Sequence, residues 1–257
     1  MCIDTIILVY TQMHPTLLQL GAVTIYTHGL MAVLGIILGA VVTYFLAAKK
    51  DLRNPYFFDL IVFSSLLGII GARLAYFILY RDQFVSSSQL LFLWQGGLVS
   101  YGGFVVGGIA FALISRAQKQ PVLRWLDFMS VGFFFGLMLG RIGDLFAGEY
   151  SGVAISGSKF LGYFSVVPVP LFELLLCLVI FILSLLALLR FNDRLRDGTV
   201  FLWSVAIYSM GRFVLDFWRT ENDWFWQLSI GQVFSLILFM GALIAMILLR
   251  VKRKDIL

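Results

Sequence analysis

The chain alternates between long apolar runs and short polar joints. Apolar positions dominate 22–47, 57–80, 97–115, 125–148, 164–189, 199–218 and 230–249. Each run is close to or longer than the roughly 20 residues that a helix needs to cross a bilayer. The pattern predicts an all-α polytopic membrane protein, a bundle of seven transmembrane helices in a single membrane domain over 1–257. A membrane β-barrel would show alternating segments of about ten residues, and this chain shows none. The early stretch "IDTIILVY" is too short to span and is predicted to lie at the membrane interface. It lacks a basic n-region and an A-x-A-like cleavage site, so no cleaved signal peptide is predicted.

Composition supports the membrane class. The chain is 61% hydrophobic and 13% charged, against about 45–50% apolar and about 25% charged in soluble domains. The net charge of +5 is distributed by topology. Lys49, Lys50, Arg53, Arg116, Lys119, Arg124, Arg190, Arg194, Arg196, Arg250, Lys252, Arg253 and Lys254 all fall in the joints or tail after odd-numbered spans. Arg81, Lys159 and Arg219 fall on the other side. The positive-inside rule then places the N-terminus outside and the C-terminus in the cytoplasm. A basic surplus arranged this way does not point to nucleic acid. Cys2 and Cys177, with two histidines in all, lack metal-site spacing, and neither a metal nor a cofactor is expected.

With that topology, charges inside spans converge. Arg73, Arg141, Asp144 and Arg212 come late in inside-to-outside spans, and Glu173 early in an outside-to-inside one. His28 and Tyr101, early in spans one and three, share their level in the outer half. An arginine near a helix centre costs on the order of 3 kcal/mol, so these residues are predicted to face the bundle interior. Arg141 with Asp144, and Arg212 with Asp216, can pair along one helix face. One reading is that such pairs only fasten helices together. The other is that arginines in excess of local pairing bind an anion, since guanidinium forks match phosphate oxygens. Gly136, Gly140 and Gly143, and Gly103 with Gly107, have the spacing of close helix contacts. Gly97 is placed at the opening of span three, and Trp224 and Trp226 in an interfacial belt.

These residues, in order, resemble the bacterial prolipoprotein diacylglyceryl transferase family. The resemblance runs through "HPTLLQLGAVTIYTHGLM", "GARLAYFILY", "LWQGGLVSYGG", "GRIGDLFAGE", "PVPLFELLL", "YSMGRFVLDFWR" and "SIGQVFSL". It implies a seven-span inner-membrane enzyme that moves the diacylglyceryl group of phosphatidylglycerol to the lipobox cysteine thiol of a preprolipoprotein. A thioether forms and glycerol 1-phosphate leaves. The implied partners are phosphatidylglycerol and the signal-peptide lipobox segment, and the expected state is a monomer. Residue by residue, Arg141 matches the phospholipid-binding arginine of the signature and Glu149 its glutamate. Arg73 matches the arginine of a G-G-R motif, and Tyr208 and Arg212 match an essential tyrosine and arginine of the sixth span.

Several positions depart from the family pattern. Asp144 and Ala147 replace signature asparagines, and Tyr101 replaces the histidine of an H-G-G motif. "VPVPLFE" keeps Pro168, Leu171 and Glu173 of H-P-S-Q-L-Y-E but has Val167 in place of its histidine. The family usually has tyrosine where this chain has His28, so the two residue types look exchanged between spans one and three. An acceptor thiol, with a free pKa near 8.5, must lose its proton to attack. His28, the only histidine within a span, is therefore the candidate general base, with Tyr101 as its partner. A carboxylate at 144 is expected to repel a bound phosphate unless a cation neutralises it. Two other functional readings stay open: a phospholipid-binding paralogue without this chemistry, and a transporter, which polar residues near both faces would favour.

Overall fold

A computed structural model describes residues 16–20, 23–83, 90, 97–148, 152–153, 166–191, 194–220 and 228–254. The "IDTIILVY" segment, Glu149, most of the loop after span four, Trp224 and Trp226 lie outside the described residues. Strands β1 (Thr16–Leu20) and β2 (Val23–Tyr26) pair antiparallel, with Leu18 opposite Ile25 and Leu20 opposite Val23. The helices are α1 (Thr27–Ala48), α2 (Phe57–Leu79), α3 (Ser100–Ala117), α4 (Val122–Ala147), α5 (Val169–Phe191), α6 (Thr199–Leu215) and α7 (Ile230–Lys254). A 3-10 turn, Asp216–Trp218, prolongs α6. Among the described residues, seven helical segments are long and apolar enough to cross a membrane. The protein is a multi-pass membrane protein of the all-α class.

Spans one, three and five begin later in the chain than expected. Span one begins at Thr27, because the β-branched run Val23, Thr24, Ile25 joins a strand pair instead of the helix. Span three begins at Ser100, not Gly97, which has a φ of 77°. Such a backbone favours glycine, and it directs the Gly97 carbonyl to Arg73. Span five begins at Val169, directly after Pro168, whose ring cannot continue a helix backwards.

The chain divides into two compact units, 1–46 with 126–257, and 47–125. In the second unit α2 and α3 pack closely: a side chain at Gly103 would meet the Gly68 carbonyl at 3.2 Å, and one at Gly107 the Ser64 carbonyl at 3.1 Å. Phe57 stacks on Trp125 with ring centroids 4.8 Å apart.

In the first unit α1 and α4 touch backbone to backbone. A Cβ at Gly35 would lie 2.5 Å from the Gly136 carbonyl oxygen, and the reverse contact is also 2.5 Å. Gly39 and Gly132 repeat the contact one turn away. This seam sets the spacing of the two helices that carry His28 and Asp144. Of the three α4 glycines expected at close helix contacts, Gly136 serves this seam and Gly143 meets Met31 and His28 of α1, whereas Gly140 faces open space. Phe134 of α4 and Cys177 and Ile180 of α5 form a buried apolar cluster, against which the partly buried Ile207 and Tyr208 of α6 pack. Leu202 and Ala206 of α6 pack on Ala242 of α7.

Each end of this unit has its own polar anchor. At one end Asp127 of α4 accepts the backbone N–H groups of Gly198 at 2.7 Å and Phe201 at 2.8 Å. It thereby satisfies donors that the first turn of α6 leaves without helical partners. At the other end the backbone of Gly152 donates to the Val167 carbonyl at 2.9 Å, and that of Val153 to the Trp218 carbonyl at 2.8 Å. These bonds tie the segments that follow α4, precede α5 and follow α6. The charged cluster lies at this second end.

Candidate active site

Helix direction brings the charges together. His28 in the first turn of α1 and Glu173 in the second turn of α5 meet the late residues of α4 and α6. Those residues are Arg141 and Asp144 on α4 and Arg212 in the last turn of α6, with Asp216 in the 3-10 turn beyond. An unbroken run of ion pairs connects them. His28 Nδ1 contacts Asp144 Oδ1, and Arg141 Nη1 donates to Asp144 Oδ2 at 2.6 Å. Arg141 Nε lies 3.0 Å from Glu173 Oε2, and Arg212 Nη1 contacts the other oxygen, Oε1. Arg212 Nη2 reaches Asp216 Oδ1 at 3.3 Å, and Arg219 Nη1 lies 3.8 Å from the same oxygen. Tyr208 is a side-chain hydrogen-bond partner of Arg141, and its ring packs 5.5 Å from that of Phe134.

Burial sorts this network into floor and working edge. The Asp144 and Glu173 side chains are fully buried, whereas that of Arg141 is 16% exposed and that of His28 is 40% exposed. The carboxylates lie deepest and hold the Arg141 guanidinium from two sides, Asp144 at Nη1 and Glu173 at Nε, which leaves it oriented rather than floating. In a medium of low dielectric constant, buried guanidiniums and carboxylates persist only when paired in this way. Arg141 is thus fixed in geometry, positively charged, and reachable.

Both helix-face pairs expected from spacing are present, Arg141 with Asp144 and Arg212 with Asp216. The expected arginine excess is not. Glu173 from α5 takes both Arg141 and Arg212, so among the described residues of this network three guanidiniums face three carboxylates, with the His28 ring as a further partner of Asp144. Glu173, expected at this level, joins the two arginines. Arg219, an outward-side charge by topology, is the unexpected participant, buried at 8% exposure. The i, i+3 spacing of Asp216 and Arg219 was the available signal for the latter.

The Asp144 carboxylate is neutralised by a cation, because the Arg141 guanidinium donates to it at 2.6 Å. Arg73 and Tyr101 belong to the second unit. The Arg73 guanidinium is buried there, donating from Nε to the Leu90 carbonyl at 3.2 Å and from Nη1 to the Gly97 carbonyl at 3.0 Å. It also lies 5.8 Å from the Tyr76 ring centroid. Arg73 therefore ties α2 to the backbone at Leu90 and at Gly97, just ahead of α3. Tyr101 sits partly buried in the first turn of that helix. Glu149 lies outside the described residues.

Comparison with known proteins gives this arrangement its context. Residues 15–248 match the family described as prolipoprotein diacylglyceryl transferase. The chain belongs to that family. Among its relatives, the phosphatidylglycerol–prolipoprotein diacylglyceryl transferase of Streptococcus mutans is 28% identical over 254 residues, covering 94% of this chain and 96% of the relative. The enzyme of the same name from Francisella tularensis subsp. holarctica is 30% identical over 262 residues, covering 96% and 97%. A Clostridium perfringens enzyme of that name is 26% identical, covering 95% and 99%. The match to the prolipoprotein diacylglyceryl transferase family takes in every helix that supplies the ion-pair network.

Proposed function

We propose that this chain is a phosphatidylglycerol–prolipoprotein diacylglyceryl transferase of the bacterial cytoplasmic membrane. Its N-terminus is outside and its C-terminus inside, so the ion-pair network lies in the outer half of the membrane. The observation that carries this reading is Arg141: reachable, and held at two edges by buried carboxylates on two helices. Together with Arg212 it binds the phosphate of phosphatidylglycerol. Family membership supplies the substrate class, since the relatives are named for this donor and this acceptor.

The transfer proceeds by displacement. His28 accepts the proton of the lipobox cysteine thiol, and the sulfur attacks the glyceryl carbon that carries the phosphate ester. A C–S bond forms as the C–O bond breaks, and the electron pair leaves on the oxygen of glycerol 1-phosphate. The charge building on that leaving group meets guanidiniums already aligned for it, which lowers the barrier without costing reorganisation at the moment of reaction. Tyr208 keeps Arg141 oriented. Arg73 and Glu149 are assigned to phospholipid binding through their matches to family positions, and Tyr101 takes the position of the family's motif histidine. No cofactor enters the reaction.

Rescue of a bacterium depleted of its own diacylglyceryl transferase tests this function. The intact chain is expected to restore growth and lipoprotein maturation, and Arg141→Ala to restore neither. Failure of the intact chain, expressed and inserted, would favour a phospholipid-binding relative without transfer activity.

A further inference from the structure

We propose that Asp144 is a positioning residue that sets the tautomer of His28, making Nε2 the atom that receives the thiol proton. This deepens the transfer reaction proposed above and rests on it. One oxygen of this fully buried carboxylate faces His28 Nδ1 and the other accepts from Arg141 at 2.6 Å. An ionised carboxylate can only accept hydrogen bonds. The hydrogen in the His28–Asp144 contact therefore belongs to Nδ1, and in a neutral ring the basic lone pair is then on Nε2. The imidazole is 40% exposed while its carboxylate partner is fully buried, so the ring is held from below and approached from above.

The same pairing supports the charged form. When Nε2 takes the proton, the imidazolium that forms already faces an anion, as in other carboxylate–histidine pairs that serve nucleophiles. Asp144 stays ionised through Arg141, which is itself held by Glu173 at 3.0 Å. One carboxylate thus connects the proton acceptor to the phosphate-binding arginine. An asparagine at this position has one carbonyl oxygen for two donors and no charge to offer an imidazolium. The backbone fits the pairing: a side chain at Gly143 would lie 3.4 Å from His28 Cα and 2.7 Å from Met31 Cβ. The absence of one lets α1 settle against α4 at this level.

The experiment reads the tautomer and the kinetics separately. The full chain carrying His14→Ala, labelled with ¹⁵N-histidine and held in lipid nanodiscs, leaves His28 as the only imidazole. At pH 8 its nitrogen shifts are expected to show a neutral ring protonated at Nδ1. A ring protonated at Nε2, a rapidly exchanging mixture, or an imidazolium would overturn the proposal, whether or not the protein transfers lipid. In a phosphatidylglycerol-to-peptide assay, Asp144→Asn is expected to lower kcat by about 10²–10⁴-fold, the range of a lost general base, with little change in KM for the phospholipid. In a His28→Gln background the same substitution should cost almost nothing more, because both changes disable one unit. An equal loss in both backgrounds, or a loss confined to KM, would overturn the proposal. If Asp144→Asn does not fold, the tautomer of the otherwise unaltered chain decides. If the chain proves inactive yet shows the Nδ1-protonated ring, the transfer reading fails and the carboxylate–imidazole pairing stands.

Discussion

Arg141→Lys is expected to lose on the order of 10²–10³-fold in transfer rate, the scale of removing one aligned donor from a developing anion. The charge is kept, so the loss measures geometry. Arg141 donates from Nη1 to Asp144 while Nε faces Glu173 on another helix, two contacts made from different edges of one plane. A lysine ammonium is a point charge on a flexible stem and cannot hold both carboxylates while presenting a fork to phosphate. Steady-state transfer from phosphatidylglycerol to a lipobox peptide checks this. A lysine variant within a few-fold of the unaltered chain would mean that charge alone serves the site.

Glu173→Gln should produce the largest loss of stability. Both carboxylate oxygens face guanidiniums, Arg141 on α4 and Arg212 on α6, and the side chain is fully buried. Removing its charge leaves two buried cations short of a counter-ion, and breaking a buried pair from one side typically costs about 3–5 kcal/mol. Thermal unfolding in detergent should show a clear fall in midpoint, with α4 and α6 loosened at the end where α5 begins. An unchanged midpoint would mean that water or lipid already screens these arginines, contrary to their burial.

The spans were legible because a bilayer imposes a length and punishes charge, and both leave marks in a single sequence. Hydropathy cannot tell an apolar strand from an apolar helix, and so the run from Val23 to Tyr26 is indistinguishable in sequence from the start of span one. Arg141, Asp144 and Arg212 were legible for the same reason that they are rare: within a membrane segment such residues need partners. What sequence could not supply was the choice of partner across helices. Spacing along one helix gives Arg141 with Asp144, and the structure has that pair. The meeting of Glu173 with two arginines depends on how α5 packs against its neighbours, which no local pattern encodes. His28 shows the same limit. Comparison of residue types gave it Tyr101 as a partner, and the fold adds Asp144 from α4. That contact depends on the close glycine seam between α1 and α4.

The most direct test of diacylglyceryl transfer at the arginine network is mass analysis of a lipobox peptide incubated with the purified chain and phosphatidylglycerol in proteoliposomes. The expected result is a peptide heavier by one diacylglyceryl group, linked as a thioether to its cysteine, with glycerol 1-phosphate released in equal amount and neither product formed by Arg141→Ala. An unmodified peptide from folded, phospholipid-binding protein, or the same product from Arg141→Ala, would contradict it.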